Sequence, residues 1–292
     1  MTSDEIATSR RSPILGGQGR GSVLIFGIPL ALIALVAIFA AYLPLANPNA
    51  QNLGAALLPP SLEVYPSGLH LLGTDQLGRD LFSRLIFGAQ LSLLIGFVSM
   101  VIGIVPGAIL GLISGYFRGV PDMVIARFVD AQLAIPFVLL AIALIASNGR
   151  SIVVLIVVLS LFSWAPFARV VRAETLSLRE STFVLGLRAA GAPHRQIIFR
   201  HILPNQAGTL LVMATLQLGA VMLAESALSF LGLGVVSPAI SWGAMLAEGR
   251  EDLITGWWIS AFPGIAILIT VLLVNLFGDA LRTAFDPKTR KF

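Results

Sequence analysis

Six long apolar stretches constrain this chain more than any other feature of its sequence. A helix that crosses a bilayer needs about 20 mostly apolar residues. Since lipid offers the backbone no hydrogen-bond partners, each stretch must satisfy its own N–H and C=O groups, as a helix does. We therefore predict an all-α polytopic membrane protein with six transmembrane helices, at residues 22–46, 91–116, 123–146, 152–168, 207–231 and 257–281.

The residue content agrees with a membrane protein and excludes several kinds of chemistry. Of the 292 residues, 57% are hydrophobic and 12% are charged, which is more apolar surface than a water-soluble globule can hide. The sequence has no cysteine, and its three histidines form no HExxH pair, so neither a thiol enzyme nor a zinc site is predicted. The two lysines, Lys288 and Lys291, do not follow a glycine-rich loop, so no P-loop is present. We expect no metal and no cofactor on this chain.

The basic residues indicate how the chain is oriented. When the six spans alternate, most of the 19 basic residues fall on one side, and only Arg79, Arg84, Arg150 and Arg250 fall on the other. The side that is rich in arginine and lysine is the cytoplasmic one. This bias also explains the pI near 10.1 without a nucleic-acid partner.

The orientation predicts how the chain is divided. We expect cytoplasmic tails at 1–21 and 286–292 and an external loop at 47–90. Between them, a membrane core at 91–285 would contain a long cytoplasmic loop at 169–206.

Glycines recur every four residues in the second span, at Gly103, Gly107, Gly111 and Gly115. Four residues are just over one helical turn, so these glycines form a smooth stripe that another helix can approach closely. We favour packing within the chain over a contact between subunits, and both interpretations stay open.

The cytoplasmic loop contains a predicted helix–turn–helix. Phe183, Val184, Leu187 and Ala190 fall on one helical face, and Gly191 then breaks the helix. One interpretation is a basic interfacial helix that is held by anionic lipid. The glycine stop and the second short helix favour the other interpretation, a segment that docks into a groove on a cytoplasmic partner.

This loop and four other blocks resemble a known family. Gly191 followed at a fixed distance by Leu203-Pro204 resembles the EAA signature of ABC-importer permeases, although Leu185-Gly186-Leu187 stand where Glu-Ala-Ala is expected. The blocks LGTDQLGRDLFSRLIFG from residue 72, AESALSFLGLG from residue 224, SWGAML from residue 241 and NLFGDALR from residue 275 are similar to the C-type subunit of dipeptide/oligopeptide permeases.

The resemblance implies a fold and a function. The fold would be a type I ABC-importer permease (MetI-like) core, and the chain would form half of an ATP-driven path for di- and oligopeptides in the bacterial inner membrane. It would not be an enzyme. Its partners would be a homologous permease, two ABC ATPase subunits that use ATP and Mg²⁺, an extracellular peptide-binding protein and membrane lipid. The ATPase-coupling residues would be Phe183, Val184, Leu187, Arg188, Ala190, Gly191, Leu203 and Pro204.

A second candidate site lies inside the fifth span, at Glu225 with Ser226 and Ser229. An ionisable residue at membrane depth is a functional candidate by default. It could line the translocation path and meet the amine of a peptide, or it could hold an outer gate through a hydrogen bond between helices. Neither interpretation is preferred.

Other charged residues suggest structural roles. Asp130 is expected to pair with Arg127, three residues before it. Asp75, Arg79 and Asp80 suggest an ordered turn. His70 stands alone in the sequence, and the acidic group of Glu248, Glu251 and Asp252 suggests a solvated loop more than a contact with a delivery protein.

Three alternatives to a peptide permease stay open. Within the family, the substrate could be nickel or glutathione. In another class, the chain could be a secondary transporter that uses intramembrane acids for ion coupling and needs no ATPase.

Overall fold

The computed structural model describes residues 18–285, so the predicted tails lie almost entirely outside the described residues. The regular secondary structure of the described part is helical, with one short antiparallel hairpin, in which β1 (Val64–Tyr65) pairs with β2 (Gly68–Leu69). The helices are α1 (Gln18–Ile38), α2 (Leu81–Phe117), α3 (Gly119–Ala134), α4 (Phe137–Asn148), α5 (Ile152–Arg179), α6 (Thr182–Ala189), α7 (His194–Gln196), α8 (Leu203–Phe230), α9 (Trp242–Glu248) and α10 (Trp258–Phe285). A π-helical segment, Ile197–Ile202, joins α7 to α8.

Five helical stretches are long and apolar enough to cross a membrane. They are α1, α2, α5, the continuous stretch from α7 to α8, and α10, with mean hydropathies between 1.8 and 2.6. A sixth span exists if α3 and α4 together count as one. The all-α polytopic fold is therefore confirmed.

The third predicted span, 123–146, is wrong as a continuous helix. The chain bends by 86° between α3 and α4. Pro136 stands at the break, and Ile135 before it is extended, with φ −83° and ψ 123°. The cause is local, because proline has no N–H for the helix and clashes with a helical residue before it.

Several helix ends also differ from the predicted ones. α2 begins at Leu81 and not at residue 91, because the Asp80 carboxylate accepts a hydrogen bond from the Ser83 backbone N–H at 2.8 Å and caps the helix. The predicted external loop thus ends near residue 80. α1 ends at Ile38, well before residue 46. α5 continues to Arg179, so residues 169–179 of the predicted cytoplasmic loop belong to that helix.

The centre of the bundle is the pair α2 and α5. The four glycines of α2 all face α5, and a Cβ added to Gly107 would lie 2.5 Å from the Trp164 carbonyl oxygen and 2.7 Å from Phe167 Cβ. At Gly111 the added atom would lie 2.7 Å from the Ala168 carbonyl oxygen. The glycine stripe therefore packs within the chain.

The loops gather at two opposite ends of the bundle. At one, called here the loop end, the Arg150 Nη1 donates to the Gly232 carbonyl oxygen at 2.8 Å. At the other, the α6 end, Arg118 pairs with Glu180 at 2.8 Å. Arg150 and Gly232 lie in connections that the alternation of spans predicts to be external. Arg118 and Glu180 lie in connections that it predicts to be cytoplasmic.

Candidate functional site

The α6 segment, residues 181–204, is the first candidate site. α6 ends in a glycine turn: Gly191 has φ +78°, a conformation that favours glycine, and two backbone bonds close the turn. The Ala192 N–H donates to the Leu187 carbonyl oxygen, and the Gly191 N–H donates to the Arg188 carbonyl oxygen, both at 3.0 Å. This is a Schellman end, which reverses the chain towards α7.

The predicted apolar face of α6 is divided between the interior and the surface. Val184 is fully buried in a cluster with residues of α2, α5 and the π-helical segment, and Leu187 is half-buried against it. Phe183 is 44% exposed, and Arg188 and Ala190 are exposed. The four residues Phe183, Val184, Leu187 and Ala190 therefore do not form one docking surface. Towards α8, Leu203 is half-buried and Pro204 is exposed.

The α6 segment is fastened to the ends of two spanning helices. A hydrogen bond of 2.8 Å joins Tyr116 Oη on α2 to His194 Nδ1 on α7. The guanidinium of Arg179, at the end of α5, lies over the Tyr116 ring at 5.9 Å from its centroid. With Val184 packed into the same region, the α6 segment contacts both α2 and α5.

Two arginines of α5 pair with acids of α3. Arg172 binds Asp122 through two bonds, Nε to Oδ1 at 2.5 Å and Nη2 to Oδ2 at 2.9 Å. Arg169 Nη2 lies 2.9 Å from Asp130 Oδ1. The predicted pairing of Asp130 with Arg127 is therefore wrong. The bend between α3 and α4 and the extension of α5 to Arg179 place α3 beside α5. Spacing within the sequence does not show that these two helices are neighbours.

Glu225 forms a polar cluster with two serines. Its side chain is 2% exposed, and Oε1 accepts hydrogen bonds from the hydroxyls of Ser229 at 2.8 Å and Ser241 at 2.9 Å. Ser241 is also the N-cap of α9, where its oxygen accepts from the Ala244 N–H. Within the predicted group, Ser229 donates to Glu225, and Ser226 Oγ donates to the Met222 carbonyl oxygen one turn back.

An ion network at the loop end includes the predicted turn of Asp75 and Arg79 and extends to Arg84 and Glu248, which the sequence analysis did not predict. Glu248 Oε2 lies 2.9 Å from Arg79 Nη2 and 2.7 Å from Arg84 Nη2, and Arg79 Nε lies 2.5 Å from Asp75 Oδ2. Arg84 is 2% exposed. Glu248 is exposed to solvent, as predicted, with 37% of its side chain accessible, but it lies at the end of α9 and not in a loop, and it pairs with two arginines.

One sequence signal pointed to this network. Arg79 and Arg84 lie in a predicted external region, against the charge bias, and a cation placed there needs a specific partner.

His70 is not isolated either. Its Nδ1 lies 3.0 Å from Asp80 Oδ1, and its Nε2 lies 3.1 Å from Ser67 Oγ. Because Asp80 also caps α2, this chain of bonds ties the hairpin to the first turn of that helix.

The two polar clusters hold α9 at both ends. Glu225 binds the N-cap Ser241, while Arg79 and Arg84 bind Glu248 at the last position of the helix. A cleft of about 360 Å³ lies beside α9 at the loop end, and both Ser229 and Glu248 line it. α9 therefore forms one wall of this cleft and is held at both of its ends.

Comparison with known proteins identifies the family. Residues 107–291 match the family described as "Binding-protein-dependent transport system inner membrane component". The chain belongs to this family. It is thus a multi-pass inner-membrane permease subunit of an ABC importer and not an enzyme, and the family works with ATPase and substrate-binding partners. This excludes the alternative of a secondary transporter.

Several curated relatives match over most of their length. A putative peptide transport system permease of Brucella suis is 42% identical over 261 residues, which are 89% of this chain and 86% of the relative. A di/tripeptide transport system permease of Pseudomonas aeruginosa is 41% identical with the same coverage of both chains. A glutathione transport system permease of Pectobacterium atrosepticum is 43% identical over 225 residues, 77% of this chain and 75% of the relative.

A solved structure has the same fold. The MetNI methionine ABC transporter, in an inward-facing conformation, matches with a TM-score of 0.60 and 21% identity, over 70% of this chain and 97% of that one. The MetI-like core that the resemblance implied is therefore confirmed.

Proposed function

We propose that this chain is the permease subunit of an importer for di- and oligopeptides and forms half of the translocation path. The observation that carries the proposal is the likeness to peptide and di/tripeptide permeases over 89% of the chain. The likeness to a glutathione permease supports a second candidate substrate, since glutathione is itself a tripeptide.

The proposed assembly is a heterodimer with a homologous permease, bound to two ABC ATPases and served by an extracellular peptide-binding protein. ATP and Mg²⁺ are used by the ATPases. Both termini are proposed to be cytoplasmic, which puts the α6 end inside the cell and the loop end outside. The unequal distribution of basic residues supports this orientation.

The α6 segment is proposed as the part that couples to an ATPase. Exposed Phe183 and Arg188 would contact the ATPase, while buried Val184 and half-buried Leu187 would hold α6 on α2 and α5. Closure of the ATPase dimer would then rock these helices between inward- and outward-open states. At the other end, Glu225 and Ser229 would keep α9 in place as an outer gate, with Ser226 beside them on α8.

Uptake by the reconstituted complex tests the substrate. We expect radiolabelled di- and tripeptides to enter proteoliposomes in an ATP-dependent way, with the chain's own permease partner, ATPases and binding protein present. Competition by unlabelled glutathione separates the two candidates. If glutathione enters and peptides neither enter nor compete, the peptide proposal is wrong.

A pair of neighbouring variants tests the coupling role. We expect Phe183→Asp to insert normally and melt like the wild type, because the side chain is exposed, yet to lose ATP-driven uptake. Val184→Asp places a charge in the buried cluster and should lower the melting temperature. Normal uptake by Phe183→Asp would refute the assignment.

A further inference from the structure

The arginines near α6 and α7 differ in what they contact. Arg169 and Arg172 pair with acids of α3, and Arg179 lies over Tyr116. Arg195 and Arg200, on the helical stretch that leads into α8, form no ion pair with any residue that the structure describes, and both are exposed.

These two arginines flank a largely apolar groove. The groove has a volume of about 590 Å³ and lies on the outer face of α7 and the π-helical segment. Phe199 is 58% exposed there, whereas Ile197 and Ile202 on the opposite face are fully buried. The residues that line the groove are Pro193, Arg195, Gln196, Phe199, Arg200 and Pro204.

The position of the groove relative to the membrane indicates what it meets. The helical stretch runs without a break from His194 to Phe230. Arg200 precedes Ala207, where the predicted span begins, by about 10 Å of helix rise. The polar layer on each side of a bilayer is roughly 5–8 Å thick, and an arginine side chain can extend several ångströms to reach it.

The exposed face of this helix continues into the span. Arg200, Pro204, Ala207 and Leu211 follow one another at helical spacing, and all four are exposed. Leu211 is 42% exposed and lies within the apolar run. The same face is thus basic at its start and apolar further along, which is the profile of a surface that follows a lipid from its headgroup to its acyl chains.

We propose that this groove binds an anionic phospholipid of the cytoplasmic leaflet, with Arg195 and Arg200 on the phosphate and Phe199 against the upper acyl chains. Basic pockets on the cytoplasmic side of spanning helices bind such headgroups. The proposal rests on the orientation given under Proposed function. An ATPase is the less suitable occupant, because the exposed face that carries Arg200 continues into the apolar span at Leu211, whereas Phe183 and Arg188, the residues proposed to contact the ATPase, lie on α6 before the Gly191 turn.

The test uses the complete transporter in nanodiscs of phosphatidylcholine with an increasing fraction of photoactivatable phosphatidylglycerol. Cross-linking to the peptide that contains residues 193–204 is then quantified by mass spectrometry. We expect saturable cross-linking, and a half-saturating lipid fraction that rises about fivefold for each arginine changed to glutamine, so about 25-fold for Arg195→Gln with Arg200→Gln. The matched control Arg127→Gln, exposed on α3 and outside the groove, should leave it unchanged.

Three outcomes would overturn the proposal. They are equal cross-linking to photoactivatable phosphatidylcholine, an unchanged half-saturating fraction in the double variant, and loss of ATPase co-purification in that variant, which would make the groove an ATPase contact. Orientation is tested separately, and the sequence has no cysteine to interfere. An Arg195→Cys variant that is labelled only after the cells are opened upholds the orientation, so a negative lipid result then refutes the lipid site alone.

Discussion

The close contact between α2 and α5 makes a quantitative prediction for Gly107→Ala. The new Cβ would lie 2.5 Å from the Trp164 carbonyl oxygen, whereas ordinary contact begins at 3.4 Å. The two helices must therefore separate locally by about 0.9 Å, because the obstructing atom belongs to the backbone and cannot rotate away. A gap of that size removes a quarter to a half of the attraction between neighbouring atoms.

Two opposing terms set the size of the effect. Overpacking of a tight contact costs about 1–3 kcal/mol. Replacing a glycine by alanine within a helix stabilises that helix by about 0.5–1 kcal/mol. We therefore expect a net loss of about 1–2 kcal/mol for Gly107→Ala. Gly21 in α1 is the matched control, since no atom lies within 4 Å of its added Cβ, and its alanine variant should be unchanged or slightly more stable.

Thermal unfolding in detergent, followed by tryptophan fluorescence, measures this difference. A loss of 1–2 kcal/mol corresponds to a decrease in melting temperature of about 2–3 °C for a chain of this size. The interpretation of the glycine stripe as a contact between α2 and α5 is refuted if Gly107→Ala melts at or above the wild-type temperature, as the Gly21→Ala control should.

The two clusters that hold α9 give further predictions, both measured by the same melting assay. The stability of Glu225→Gln should stay within about 1 kcal/mol of the wild type, because the amide oxygen can still accept hydrogen bonds from Ser229 and Ser241. Glu225→Leu should lower the stability by about 1–3 kcal/mol, because it leaves both hydroxyls without this acceptor. Equal melting temperatures of the two variants would contradict this. Glu248→Gln should cost about 1–2 kcal/mol, because buried Arg84 then loses its closest carboxylate, although that carboxylate is 37% exposed. Glu251→Gln, at an 83% exposed side chain, should change stability by less than about 0.5 kcal/mol. Similar losses in these two variants would show that the network does not stabilise the fold.

Much of this protein could be predicted from local patterns in its sequence. The apolar runs predicted membrane helices because a bilayer demands about 20 apolar residues per crossing, a requirement that each stretch meets by itself. The Gly191 break and the glycine stripe are likewise local: a helix cannot easily continue through a left-handed residue, and four-residue spacing puts the glycines on one face.

Other features depended on which helices become neighbours, and only the tertiary structure decided them. Val184 and Phe183 are adjacent in sequence and similar in hydropathy, yet one is buried and the other exposed, because α6 lies on α2 and α5. Asp130 pairs with Arg169, and Glu248 with Arg79 and Arg84, across long separations in sequence. Sequence spacing determines the face of a helix on which a side chain lies; packing alone determines whether that face meets lipid, water or another helix.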